Sequence, residues 1–266
     1  MTDFTPVDAF ETVYQTLQET FRSGRTKSIG WRKWQLKQIW WMIEDNEQKI
    51  IDALAADLNR HPFESYASDL YGIKSDILEH INHVEEWASD EQLWEAGIIM
   101  GKFGKARIRK EPLGVALIIG AWNFPFLLLI QPVIAAVTAG CCVLMKPSEL
   151  AVASQKLLQT LVAQYLDPSA IGLVTGGPSE TAYILERKFD HIFFTGSSKI
   201  ARHITSAAAK HLTPTVLELG GQGPAIVTES ADVDLAAKRI AYAKFLNAGQ
   251  SMQHGMKCMG LSSTDQ

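Results

Sequence analysis

The sequence predicts an α/β protein in which N-terminal helices are followed by a doubly wound, mostly parallel sheet. Three observations predict it. The apolar runs Val115–Ile119 and Cys142–Met145 are short, bounded by Gly or Pro, and show no polar alternation, as strands buried on both faces do. Between them, Phe126–Ala139 is long and apolar enough to be a crossover helix, which makes a βαβ unit. Beyond it, strand-length and helix-length segments go on alternating, the pattern of a parallel sheet covered on both sides.

The elements can be justified in order. Val7, Phe10, Val13, Tyr14, Leu17 and Phe21 recur at helical spacing across Pro6–Gly24, and Gly24 is a natural stop. A second helix is expected from about Ile29 to Asn46, with Trp31, Trp34, Trp40 and Trp41 as packing residues rather than a base-stacking surface. A third, Glu47–Leu58, ends before Asn59-Arg60-His61-Pro62. Ser65–Trp87 puts Tyr66, Leu70, Ile73, Ile77, Ile81 and Val84 on one helical face. His80 and His83 there lack an obvious third metal ligand and read as an exposed face. Gly97–Lys110 reads as a hairpin whose Lys105, Arg107 and Arg109 form a basic outer face that blunts an edge. After the βαβ unit come a helix at Ala151–Leu166, a strand at Ile171–Val174 and a short helix at Glu180–Glu186. A strand at His191–Phe194, a helix running to about His211 and a strand at Pro214–Leu219 follow.

Composition sets bounds. The 266 residues, 47% hydrophobic and 20% charged, suffice for one large or two small globular domains. A net charge of −4 gives no electrostatic footprint for nucleic acid. Three cysteines, two of them adjacent, are no disulfide framework, and the expected compartment is reducing and cytoplasmic. The opening residues lack a secretory-signal pattern. The longest apolar stretch, Phe124–Val137, is interrupted by Pro125, Gln131 and Pro132, so no membrane-spanning segment is expected.

Several residues could carry chemistry. Thr195-Gly196-Ser197-Ser198 joins a strand to a helix N-terminus, where free amides and the positive dipole end favour a phosphate; simple capping is the other reading, and both stand. No P-loop or G-x-G-x-x-G accompanies them. Lys146 and Glu149, three apart at a helix start, offer a donor and an acceptor that suit the two hydroxyls of a ribose, or a helix cap. Asn123, beside Trp122 in a Pro-bounded loop, has an amide able to donate to a developing oxyanion, or to form a turn. Glu218 ends an apolar strand. Buried there it could act as general base; otherwise it is a structural, ion-paired glutamate. Cys141 and Cys142 lie in or beside a strand and read as packing residues.

PLGVALIIGAWNFP (Pro112–Pro125) followed by VLMKPSE (Val143–Glu149) resembles the aldehyde dehydrogenase superfamily, in its class 3 or fatty-aldehyde branch. FTGS at Phe194–Ser197, LELGG at Leu217–Gly221 and NAGQ at Asn247–Gln250 follow in the same order. The resemblance implies a Rossmann-like fold binding NAD, with NADP also accepted in this branch. Trp122, Thr195, Gly196 and Ser197 would lie on the phosphate side, Lys146 and Glu149 on the adenosine ribose, and Leu219 and Gly220 near the nicotinamide. It implies oxidation of a medium- or long-chain or aromatic aldehyde to a carboxylic acid through a cysteine adduct. Asn123 would steady the oxyanion and Glu218 would activate water. Family members homodimerise, and the hairpin would serve subunit contact.

One position departs from the family. The nucleophile of the N-x-G-Q-x-C pattern falls at Met252, 34 residues after Glu218 (252 − 218), and a thioether cannot form the adduct. Cys258 is six residues later, and Gln222 replaces the usual lysine after the glycine pair. The expected division is 1–96 N-terminal helices, 97–111 hairpin, 112–218 cofactor domain, and 219–266 the start of a catalytic domain plus a tail unlike the family. The expected protein is a C-terminally truncated, inactive dehydrogenase whose sheet exposes an apolar face. The other reading is a nucleotide-binding or interaction module that keeps the cofactor fold.

Overall fold

A computed structural model describes residues 4–221, 223–251 and 257–260. Helix α1 (Val7–Arg22) stops where Gly24 turns left-handed at φ 74°. Helix α2 (Ile29–Glu44) is capped by the Ser28 hydroxyl, which accepts from the Trp31 amide. Helix α3 (Glu47–Leu58) ends at Asn59 with φ 51°. Helix α4 (Pro62–Ser65), a widened π turn (Tyr66–Leu70) and α5 (Tyr71–Ala88) together cover the single long helix expected there. Trp31 and Trp40 pack on the core, but Trp34 and Trp41 are exposed. These two are seven residues apart, so they share the outer face of α2, and one buried stripe cannot hold all four. His80 is no surface residue either: its Nδ1 lies 2.8 Å from Thr138 Oγ1, and burial holds its pKa below the usual histidine range.

The hairpin takes a different form from the expected one. Strands β1 (Glu91–Gln92) and β2 (Arg107–Ile108) pair antiparallel, and the residues between them wind into helical turns. A Cβ at Gly101 would stand 2.7 Å from the Trp94 carbonyl oxygen, so glycine lets the segment fold back on itself instead of extending.

The main sheet holds β3 (Val115–Ile119), β4 (Cys142–Lys146), β5 (Ile171–Leu173), β6 (His191–Gly196) and β7 (Thr215–Leu219) in the order β5-β4-β3-β6-β7, every pair parallel. The connecting helices are α6 (Leu127–Ala139), α7 (Val152–Tyr165), α8 (Pro178–Leu185) and α9 (Ser198–Lys210). The chain moves outward from β3 to β5 and then returns to the other side of β3. The switch point thus falls between β3 and β6, where open α/β sheets hold their ligands. All residues of β3 and β4 are buried, as their unbroken apolar runs require. Helix α1 packs on β4 and β5, α6 on β3 and β4, and α9 on β6 and β7. At Gly172 a Cβ would sit 2.5 Å from Val13, so α1 lies directly on β5.

Three further elements follow: β8 (Pro224–Val227), α10 (Val233–Phe245) and β9 (Lys257–Gly260), with β9 parallel to β8. This end is apolar and open. Val216, Ile226, Leu235, Tyr242 and Phe245 are exposed, and none of the described residues of α10 is buried.

Candidate functional site

At the carboxyl ends of β3, β4 and β6 lies a cleft of about 960 Å³. Its floor is the Gly120–Asn123 loop after β3, one wall is Lys146, Ser148 and Glu149 after β4, and the facing wall is Phe194–Ser197. Gly220, Gly221 and the Gly249–Ser251 segment close it from the side. The structure therefore brings together Trp122, Asn123, Lys146, Glu149, Thr195, Gly196, Ser197 and Gly220 from four separate stretches of chain.

Each side chain has a local cause for its position. Lys146 is the last residue of a buried strand, and its ammonium reaches Glu149 Oε2 at 2.6 Å; the pair is mutual, at the cleft wall. Ser197 caps α9, its hydroxyl accepting from the Ile200 amide at 3.3 Å, so the capping reading of this residue is realised. Thr195 is buried in the same wall, and its hydroxyl has no hydrogen-bond partner among the described residues. A buried hydroxyl left unpaired costs free energy unless something answers it.

Asn123 donates from Nδ2 to the Gln250 carbonyl at 2.7 Å. Its own carbonyl accepts from Arg60 Nη2 at 2.6 Å and from Asn247 Nδ2 at 2.8 Å. Arg60 is buried, forms an ion pair with buried Asp69, and also donates to Asn247 Oδ1. Asp69 in turn accepts from the Leu127 amide at 2.9 Å, at the start of α6. Burial pushes the Asp69 carboxyl up, against the opposing pull of Arg60 and the Leu127 amide. One buried polar chain thus ties the π turn, the Asn123 loop and the 247–250 turn, where Asn247 and Ala248 take positive φ. Sequence reasoning missed Arg60, Asp69 and Asn247 as site residues. A signal was present, since Asp69 lies three residues after Tyr66 and four before Ile73, on the apolar stripe of its helix.

Two assigned residues are not brought to the cleft. Glu218 is exposed, not buried, and Leu219 is not among the lining residues. Both follow from β7 being an edge strand. Its alternation turns Leu217 and Leu219 to the core and leaves Val216 and Glu218 on the open side. Gly220 and Gly221 do line the cleft, and among the described residues, their chain neighbours aside, no atom lies within 4 Å of a Cβ built on either. Cys141 and Cys142 are buried free thiols, and burial pushes Cys142 up to about 12. Met252 and Gln222 lie outside the described residues.

Fold and cleft together define a doubly wound α/β protein of the Rossmann-like class, with its ligand cleft at the switch point. The aldehyde dehydrogenase family model matches residues 5–259. The chain belongs to the aldehyde dehydrogenase family. That match runs past Gln250 and takes in the described part of β9 up to residue 259.

Aldehyde dehydrogenase family 3 member B3 of Mus musculus is 41% identical over 244 residues, 92% of this chain and 50% of that protein. The dimeric NADP-preferring aldehyde dehydrogenase of Rattus norvegicus is 42% identical over 234 residues, 88% and 51% of the two chains. The substrate-bound AldH of Staphylococcus aureus superposes with a TM-score of 0.92 at 32% identity, covering 96% of this chain and 55% of its own. The chain spans about half the length of the curated relatives it matches.

Proposed function

We propose that the cleft is a nicotinamide-dinucleotide site and that the chain derives from an enzyme oxidising medium- or long-chain or aromatic aldehydes to carboxylic acids. The observation that carries this reading is the placement of Lys146, Glu149, Ser197 and the N-terminus of α9 around one large cleft at the switch point. The residues present fit such a cofactor. Lys146 and Glu149 would hold the adenosine ribose, exchanging their mutual contact for its hydroxyls. Thr195, Ser197 and the first-turn amides of α9 would hold phosphate, with Trp122 beside it. Bound there, the cofactor supplies the hydride acceptor. NAD is the expected form, because a carboxylate at Glu149 repels a 2′-phosphate, although one relative bears the name NADP-preferring.

The chain's own groups divide the remaining work. Asn123 Nδ2, now on the Gln250 carbonyl, is the donor for a developing oxyanion. Glu218 is the base for a hydrolytic water, a role that requires it to be covered. Met252 stands at the nucleophile position of the family pattern and supports a second reading, a nucleotide-binding module without turnover. Homodimerisation and a cytoplasmic location belong to the same proposal.

Fluorescence or calorimetric titration with NAD tests the site. We expect weak binding by the intact chain and at least a roughly ten-fold loss in a Lys146→Ala, Glu149→Ala double variant, since two charge-assisted hydrogen bonds go. Unchanged affinity in the double variant would remove the ribose assignment.

A further inference from the structure

Arg60 lies buried in the short link between α3 and α4, and its guanidinium reaches three other parts of the chain. Nη1 pairs with the Asp69 carboxylate. Nη2 donates to the Asn123 carbonyl at 2.6 Å and to Asn247 Oδ1 at 2.6 Å, and Nε reaches the same Oδ1 at 3.1 Å. The guanidinium carbon also stands over the Phe124 ring, 4.9 Å from its centre. Nε and Nη2 are two prongs of one rigid fork, a geometry that lysine, a single point charge, cannot reproduce.

What Arg60 holds is strained. Asn247 and Ala248, neither of them glycine, both take left-handed backbone, at φ 50° and 53°. Such conformations persist where the surroundings dictate them. Here Arg60 engages Asn247 Oδ1, Glu64 accepts from the Asn247 amide, and the Asn123 and Gln250 carbonyls accept from Nδ2 at 2.8 and 3.4 Å. The turn so held presents the Gln250 carbonyl to Asn123 Nδ2 at 2.7 Å. Two residues on lies position 252, the nucleophile position of the family pattern. One guanidinium therefore grips both the loop that carries the proposed oxyanion donor and the turn that leads to that position. Stability alone does not call for the charges, because a buried ion pair contributes no more than apolar side chains of similar volume. What it can add is the choice of one arrangement over its competitors.

We propose that Arg60, paired with Asp69, is a positioning residue of the cleft: it fixes the direction of the Asn123 amide and holds the 247–250 turn against it. The inference rests on the reading of Asn123 as oxyanion donor, and Arg60 acts only through that residue. Asp69 supplies the anchor. Its other oxygen, Oδ1, accepts from the Leu127 amide at 2.9 Å, which ties the clamp to α6 and so to β3 and β4 beneath it.

Solvent exchange of the Asn123 side-chain amide, followed by NMR on the full chain and assigned by its loss in Asn123→Asp, tests this. In the parent we expect that amide protected by its bond to the Gln250 carbonyl. Arg60→Met with Asp69→Leu removes both charges and leaves neither orphaned, so the chain should stay folded. Arg60→Lys keeps the charge but not the fork. In both variants the Asn123 side-chain amide and the Asn247 backbone amide should exchange at least roughly ten-fold faster, the scale of one charge-assisted hydrogen bond. Affinity for NAD should stay within about two-fold of the parent, because Lys146 and Glu149 are untouched. Asp167→Asn, before β5 at the end of the sheet opposite the cleft, controls for a general loss of stability. An unprotected Asn123 amide in the parent overturns the proposal. Parent-like exchange in the double variant or in Arg60→Lys does so too, since packing or charge alone would then suffice. Equal loosening in Asp167→Asn also overturns it. A parent that protects the Asn123 amide but binds no NAD overturns the cofactor reading of the cleft instead, and with it the purpose given to the clamp.

Discussion

At the scale of residues, the candidate site divides into what a chemical type reveals and what only packing reveals. Lys146, Glu149, Asn123 and Thr195 could be singled out because each is a polar group at the end of an apolar run, and all four reach the cleft. Arg60 and Asn247 could not, since an arginine in a loop and an asparagine in a turn look like solvent-facing residues until the chain closes over them. Glu218 failed in the opposite direction. Its burial depended on what covers an edge strand, and a strand's own sequence does not state that. Asp167 is a further residue that only the fold explains. It accepts from Arg25 at 2.7 Å and from the Trp31 indole at 3.1 Å, joining the N-terminal helices to the α7–β5 loop. Burial alone would push its carboxyl up, but the Ser169 hydroxyl and amide, Trp31 and Arg25 together hold it below the usual range. A depressed folded-state pKa contributes stability above the unfolded value that is lost as pH falls through the folded one. Asp167→Asn should therefore be less stable than the parent above about pH 4, the gap closing below that. Urea midpoints across pH 3–7 (about two units either side of pH 5) would measure it, and a gap independent of pH would refute the assignment.

At the scale of elements, most of the fold was legible because two periods are hard to mistake. Unbroken apolar runs located β3 and β4, and 3-4 spacing located α1 and α5, with the end of α1 set by Gly24 and that of α3 falling before Asn59. The failures came where the pattern is weak. The segment after Leu93 has glycines spaced so that it can turn or extend, and backbone contacts at Gly101 decide for turns. Helix α10 and strand β8 were not read, and their exposed apolar positions show no single face for a period to mark. Helix starts also depend on distant residues. The first amides of α7, Ala153 and Ser154, donate to the Asp57 carboxylate at 2.8 and 2.7 Å, so α3 caps α7 across 96 residues of chain. Asp57→Ala should cost about 1–2 kcal/mol, the value of a charged cap. Asp57→Asn, which keeps one acceptor, should cost less. The lowered urea midpoint should come with an unchanged slope. An Asp57→Ala midpoint equal to that of the parent would show that water serves those amides equally well.

At the scale of the whole molecule, the cleft and the catalytic groups proposed for it are separable, and this chain holds them in unequal measure. The cleft is assembled from elements between β3 and Ser251, and its walls are well ordered by buried strands. The chemistry proposed for it needs three things near the nicotinamide: an oxyanion donor, a nucleophile and a base. Asn123, the proposed donor, lines the cleft and is held through its own carbonyl by Arg60 and Asn247. The nucleophile position of the family pattern is Met252, and a thioether has no proton to lose and cannot give a tetrahedral adduct from which hydride departs. Glu218, the proposed base, stands exposed on the open side of an edge strand. We therefore expect no NADH formation from medium-chain or aromatic aldehydes by this chain, read by the absorbance of the reduced nicotinamide, even where NAD binding is measurable. Restoring the thiol with Met252→Cys should not suffice while Glu218 stays uncovered. Turnover by the Met252→Cys variant would mean that an exposed Glu218 is no obstacle, and the missing thiol alone accounts for inactivity. Turnover by the unmodified chain would mean that some other group serves as nucleophile, and the role given to position 252 would fall.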